Sequence, residues 1–207
     1  MKHTIDVETW DRKELFEFFK GFTEPFWGIT VNVDVTVAYL KAKEQKFSFF
    51  LYYLYQSLRA ANEVKEFHYR IEDGVPVYFD VVNGSSTINR ANGTFGFSYI
   101  SYRDSFEAFL PEAQDEIARV QATTKLMPEI LNSSVIHYSS VPWFTFTSVS
   151  HARHFDFPDS CPKITFGKFF EQGDKLLMPV AIHGHHALID GLHAGQFLNI
   201  FQHYLNS

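Results

Sequence analysis

A single cysteine, Cys161, occurs in the 207 residues, so no intrachain disulfide can form. That usage fits a reducing compartment. Positive charge is not in excess either. Eighteen Lys and Arg stand against 24 Asp and Glu, a net charge of −6, which lacks the basic footprint of a nucleic-acid-binding domain. The longest apolar-rich run, residues 47–58, carries Ser48 and Gln56 and falls short of the ~20 residues of a membrane span. It reads as a buried helix. The opening residues, Met1-Lys2-His3-Thr4-Ile5-Asp6, have no apolar stretch of the signal-peptide kind. No repeat, low-complexity tract or Pro/Gly/Ser-rich linker divides the chain. These absences lead us to expect one domain over residues 1–207, soluble and cytoplasmic, without membrane or nucleic-acid partners.

Aromatic residues, by contrast, are plentiful: 17% of the chain, with 23 Phe. Large flat side chains suit a sheet covered by helices, and also a pocket for a flat apolar ligand. Strand and helix patterns interleave. Residues 29–36 alternate strictly and predict a half-buried strand. Helical spacing is found at 11–20, 36–43 and 47–62. Asp73-Gly74 and Asn92-Gly93 mark two hairpins, 69–72 with 75–80 and 86–90 with 94–101. A helical stripe starts at Ser105, with Pro111 either kinking it or marking its first turn. Strand-like stretches follow at 135–149, 164–171 and 176–183, the last apolar at both parities and so covered on both faces. A final helix is predicted over 189–205. The fold class is α/β (α+β): a two-layer sandwich, a mixed sheet with helices on one side.

Chemistry concentrates in residues 183–193, His183-Gly184-His185-His186-Ala187-Leu188-Ile189-Asp190-Gly191-Leu192-His193. Four of the ten histidines lie here, where a buried strand gives way to a helix. Asp190 is placed to cap that helix, which needs no catalytic role. A lone histidine could be a satisfied polar group at a strand end, but several titratable groups at one junction are costly unless used. A metal site is the sharper rival, since His183 and His185 share a strand face and His186, Asp190 and His193 could complete a shell. Against it stand the lack of a His-Glu-x-x-His helix pair and of a nearby Glu base.

The pattern His-His-x-x-x-Asp-Gly-x-His at 185–193 resembles the active-site signature of the chloramphenicol acetyltransferase family. Its His-x-x-x-Asp-Gly part is shared with the catalytic domains of dihydrolipoyl acyltransferases. Further segments match in order along nearly the whole chain: Trp10-x-Arg12-x-x-x-Phe16-x-Phe18, Ser139-x-x-Pro142-Trp143, residues 164–168 and residues 173–179. The resemblance implies a coenzyme A-dependent acyltransferase-like fold and O-acetyl transfer from acetyl-CoA, a co-substrate and not a tightly bound cofactor. Chloramphenicol, or another small hydroxylated compound, would be the acceptor. It implies His186 as general base, Ser139 as oxyanion donor and Thr165 holding a water nearby. Asp190 and Arg12 would be a bracing ion pair, and no metal is implied. Phe18, Phe19, Phe95 and His151 would line the acceptor site, and Lys46, Lys168 and Phe169 the coenzyme path. A homotrimer with sites between subunits is expected, with antibiotic resistance as the associated role. A non-catalytic trimeric binding module of the same fold is the alternative from another class.

Departures from the family pattern cluster at the acceptor pocket. His183 replaces the usual Gln, Leu192 an aromatic residue, and Thr23 an apolar one. Pro25-Phe26-Trp27-Gly28-Ile29-Thr30 stands where Cys-Gly-Phe-Ser-Leu-Thr is usual, and His151 and Lys163 replace aliphatic residues. A pocket for a nitrophenyl ring does not gain a cation unless the acceptor offers it a partner.

Overall fold

The computed structural model describes residues 1–128, 130, 132–153 and 158–207. In chain order the strands and helices are β1 (Lys2–Thr4), α1 (Lys13–Phe19), β2 (Phe26–Asp34), α2 (Thr36–Glu44), α3 (Phe49–Glu63), β3 (Tyr69–Glu72), β4 (Val75–Phe79), β5 (Asn83–Asn89), β6 (Phe95–Phe97), α4 (Phe106–Ala122), β7 (Val135–Val141), β8 (Lys163–Gly167), β9 (Phe170–Gln172), β10 (Lys175–His185) and α5 (Gly191–Leu205). The main sheet has the order β2-β10-β8-β7-β5-β6, with β9 beside β10. The β7–β8 and β5–β7 pairs are parallel and the others antiparallel, so the sheet is mixed. A small sheet, β1-β4-β3, stands apart.

Side-chain alternation sorts the two faces of the main sheet. Tyr138, Ile164, Phe166, Val180 and Ile182 belong to one core with Leu54 and Leu58 of α3 and Phe197 and Phe201 of α5. Their strand neighbours Ser139, Lys163, Thr165, Ala181 and His183 therefore turn to the other face. α3 is fixed at its start by Ser48, whose hydroxyl accepts the Leu51 N–H at 3.3 Å. Ten of its fifteen residues are buried, as the apolar run foretold. Arg70, fully buried, donates to the carbonyls of Phe67, Tyr69, Ser133 and Val135 and ties the small sheet to the start of β7.

Several boundaries differ from the sequence reading. The stretch 135–149 is a strand only to Val141, because Pro142 has no N–H for a ladder. The stretch 164–171 breaks into β8 and β9. β2 begins three residues earlier than the alternation indicates, and β10 runs on to His185. Pro111 lies inside α4, whose first turn is set by the Ser105 hydroxyl accepting from Ala108. Asp73 and Gly74 both take positive φ, 51° and 76°, as their two-residue hairpin requires.

Candidate functional site

The end of β10 places His186. Pairing with β2 runs from Leu177 opposite Asp34 to His185 opposite Phe26, and the next N–H, that of His186, donates to the Pro25 carbonyl at 2.8 Å. The imidazole of His186 stacks on Phe19 (centroids 4.2 Å apart, planes 10° apart), with Trp27 at 5.7 Å. Its Nδ1 is buried and has no hydrogen-bond partner among the described residues, so Nε2 is the nitrogen open to a reactant. His185 points elsewhere. It is buried, its Nδ1 accepts the Ala187 N–H at 3.2 Å, and burial, then the charge of Arg153, pushes its pKa down to about 4.

The turn after His186 is braced from three sides. Trp27 Nε1 donates to the Ile189 carbonyl at 2.8 Å. Asp190 caps α5, accepting from Leu192, while the Asp190 N–H donates to His193 Nδ1 at 3.1 Å. Arg12, at the start of α1, donates from Nη1 to Asp190 Oδ2 at 2.8 Å. Burial alone would raise the Asp190 pKa, but the Arg12 hydrogen bond and the neighbouring charges hold it below the usual carboxylate range. Capping and ion pairing are thus both roles of one carboxylate.

Ser139 and Thr165 face each other in the β7–β8 register, and Thr165 lies opposite Ala181 of β10. The Ser139 hydroxyl is half-buried and makes no hydrogen bond among the described residues. Thr165 is buried, and its Oγ1 lies 3.2 Å from His151 Nε2. His151 meets the His183 ring edge-on at 4.9 Å. Burial and the nearby His183 and Lys163 lower the His151 pKa to about 4, which leaves it uncharged at neutral pH.

These two halves are not adjacent within one chain. From Ala181 to His186 is five strand positions at about 3.3 Å each, and β7 lies two strand spacings of about 4.8 Å from β10, so His186 and Ser139 are roughly 20 Å apart. Phe95 is also remote. It is exposed on β6, at the edge of the sheet opposite β2. Phe18 is exposed beside Phe19 and Phe22. Lys46, exposed with φ of 59°, joins α2 to α3, and Phe169 packs on Tyr39 and Phe49 of those helices at 4.9 and 6.0 Å. Lys168 is exposed, its N–H bonded to the Phe144 carbonyl.

The histidine segment does not converge as a metal shell among the described residues. A group of potential ligands does gather elsewhere, His137, Asp159 and Cys161, but Lys163 already occupies Asp159 and Arg70 lies against Cys161. Two fixed cations there oppose a third. The sequence reading missed Trp27, Arg153 and Asp159 as supports of the site. Their partners, Ile189 and Glu24 in loops and Lys163 at the start of β8, are met through pairings that no periodicity signals.

The fold recurs in known proteins. A solved chloramphenicol acetyltransferase superposes with a TM-score of 0.88 at 34% identity, covering 99% of this chain and 100% of that one. The dihydrolipoamide acetyltransferase of Azotobacter vinelandii shares the fold alone, with a TM-score of 0.69 at 14% identity over 88% and 82% of the two chains. The fold is that of the coenzyme A-dependent acyltransferases. Chloramphenicol acetyltransferases from Escherichia coli and a Klebsiella species are 32% and 33% identical, each over 97% of this chain and 92% of theirs. The family pattern "CAT: Chloramphenicol acetyltransferase" spans residues 1–202. The chain belongs to the chloramphenicol acetyltransferase family.

Proposed function

We propose that the protein moves an acetyl group from acetyl-CoA to a hydroxyl of a small acceptor, chloramphenicol in the first instance, within one catalytic domain over residues 1–207. His186 Nε2 takes the acceptor's hydroxyl proton as its oxygen attacks the thioester carbonyl carbon. The tetrahedral oxyanion accepts a hydrogen bond from Ser139, with Thr165 alongside holding a water. Collapse breaks the carbon–sulfur bond, and the leaving thiolate takes the proton back from His186, giving acetyl ester and free coenzyme A. Asp190 and Arg12 hold the histidine turn. Lys46, Lys168 and Phe169 guide the coenzyme, a co-substrate with no resident cofactor needed.

The observation that carries this reading is the His186 ring, stacked on Phe19 with Nδ1 buried and no hydrogen bond to Nε2 among the described residues. A binding module needs no such poised imidazole. Because Ser139 lies roughly 20 Å away in the same chain, the reaction needs His186 from one copy and Ser139 with Thr165 from the next. Apolar side chains exposed around His186, Phe18 at 64% and Leu192 at 68%, favour a second copy at this end, and the family resemblance makes the assembly a trimer. No helix among the described residues is long and apolar enough to cross a membrane, and we place the enzyme in the cytoplasm, with resistance to chloramphenicol as its associated role.

A second acceptor, another small hydroxylated compound, is favoured by the polar side chains Lys163, His151 and His183 near Thr165. Release of free thiol from acetyl-CoA tests the proposal. Signal that requires a hydroxylated acceptor and disappears in His186→Ala supports it. Tight coenzyme A binding without turnover of any acceptor would make the protein a binding module.

A further inference from the structure

Beside Thr165, on the sheet face away from the helices, lies a cleft of about 160 Å³. Drug-sized sites run to ~300–1,000 Å³, so this cleft alone is smaller than such a site, and on the assembly proposed above another copy would enlarge it. Its walls include Lys163, Arg153, Glu24, His151 and His183 around one aromatic ring, Phe26. The charges differ in depth. Lys163 and Arg153 are 10% and 11% exposed, whereas Glu24 is 51% exposed.

Both cations are built into the wall. Lys163 Nζ donates to Asp159 and to the Cys161 carbonyl and sits 4.3 Å from the Phe26 centroid. The Arg153 guanidinium lies 3.8 Å from the same ring and pairs through Nη1 with Glu24. Among the described residues, Glu24 itself is held by that pair and by the Phe26 N–H at 3.2 Å. Among the described lining residues it is the one carboxylate, and its exposure leaves it room to swing into water. His183 fills the groove above Gly28, where even a Cβ would come within 2.4 Å of its ring.

An uncharged nitrophenyl group entering here would offer two cations and two imidazoles only the weak acceptor oxygens of its nitro group and no counter-charge. The one aromatic ring already carries both cations. An anion is matched instead, because the fork of Arg153 suits a carboxylate and Glu24 already shows where one binds. We propose that this cleft recognises the carboxylate of a small hydroxylated acid, which replaces Glu24 on Arg153 while the acid's hydroxyl meets His186 of another copy. This rests on the acyl-transfer reading above and names its acceptor class. Chloramphenicol is then a competent but poorly matched acceptor.

The test uses N-acetylhomoserine, its uncharged N-methylamide and chloramphenicol in the thiol-release assay, with calorimetric titration of the first two, which needs no turnover. The acid is expected to exceed its amide in kcat/KM by tenfold or more at low salt, and the gap to shrink as salt rises. Glu24→Ala, a change at an exposed site, is expected to widen the acid-to-amide ratio threefold or more by removing the internal competitor. Arg153→Gln should close it. Equal binding and turnover of acid and amide, or a ratio unmoved by Glu24→Ala, would overturn the inference and leave acetyl transfer standing. Absence of His186-dependent thiol release with all three would sink the acyl-transfer reading, and the titrations would still decide the carboxylate site.

Discussion

Replacing Asp190 by Asn separates the two duties of that carboxylate. Asn caps a helix about as well as Asp, so the N-terminus of α5 keeps its acceptor while the charge facing Arg12 is lost. Arg12 and Asp190 side chains are 12% and 28% exposed, and Arg12 Nε and Nη2 are already buried without partners among the described residues. The variant therefore strands a guanidinium with no counter-ion. Breaking a fully buried pair costs ~3–5 kcal/mol, and the partial exposure of Asp190 reduces this to roughly 2–3 kcal/mol. Asp190→Ala should cost about 1 kcal/mol more, the worth of the cap. Arg12→Met should cost least, since Asp190 is then left at a helix N-terminus that favours negative charge. The pH dependence has a definite sign. The folded pKa of Asp190 is depressed, so its charge contributes above the unfolded value of ~3.9 and the contribution fades as pH falls through the lower folded pKa. Urea unfolding at fixed protein concentration, at pH 7 and below pH 4, measures this. A wild-type stability advantage over Asp190→Asn absent at pH 7, or undiminished in acid, would refute the reasoning.

Other outcomes follow from the same geometry. His186→Ala should lower kcat by ~10²–10⁴-fold, and Ser139→Ala by ~10²–10³-fold, in steady-state thiol release with the fold intact by circular dichroism. Activity should disappear with dissociation to monomers on dilution, because one chain keeps His186 and Ser139 apart; an active monomer in sedimentation under assay conditions would contradict this. His151 and His185, each held near pKa 4, take up protons more readily unfolded, so stability should fall as pH drops from ~6.5 towards 4. His151→Leu should blunt that fall in a thermal-melting series.

What the sequence disclosed depends on how local each feature is. α3 was legible because its apolar run is longer than a strand and bounded by Ser48, and the hairpin at Asp73-Gly74 because two residues alone decide its turn. The end of the run at 135–149 was not legible. Phe144 and Phe146 extend the aromatic character past Pro142, and only the missing N–H at Pro142 ends the ladder. The neighbourhood of His186 was half visible. Asp190 and Arg12, 178 residues apart, meet as the family pattern implies, whereas the Phe19 stack and the Trp27 bond to Ile189 depend on how α1 and β2 approach the turn, which no spacing encodes.

The departures that weakened the match at the acceptor pocket now have a shared location. Lys163 and His183 pair across β8 and β10, and His151 reaches the same place from the segment after β7. One altered side chain in an apolar pocket would be an unpaid desolvation. Three on one wall, with Asp159 serving Lys163, Thr165 serving His151 and the His183 ring packed edge-on against His151, form a shared polar surface. Reverting His151 alone to Leu should therefore not restore an apolar pocket, because Lys163 and Arg153 stay anchored on Phe26. A chloramphenicol KM that fell tenfold in that single variant would show that the wall is not acting together.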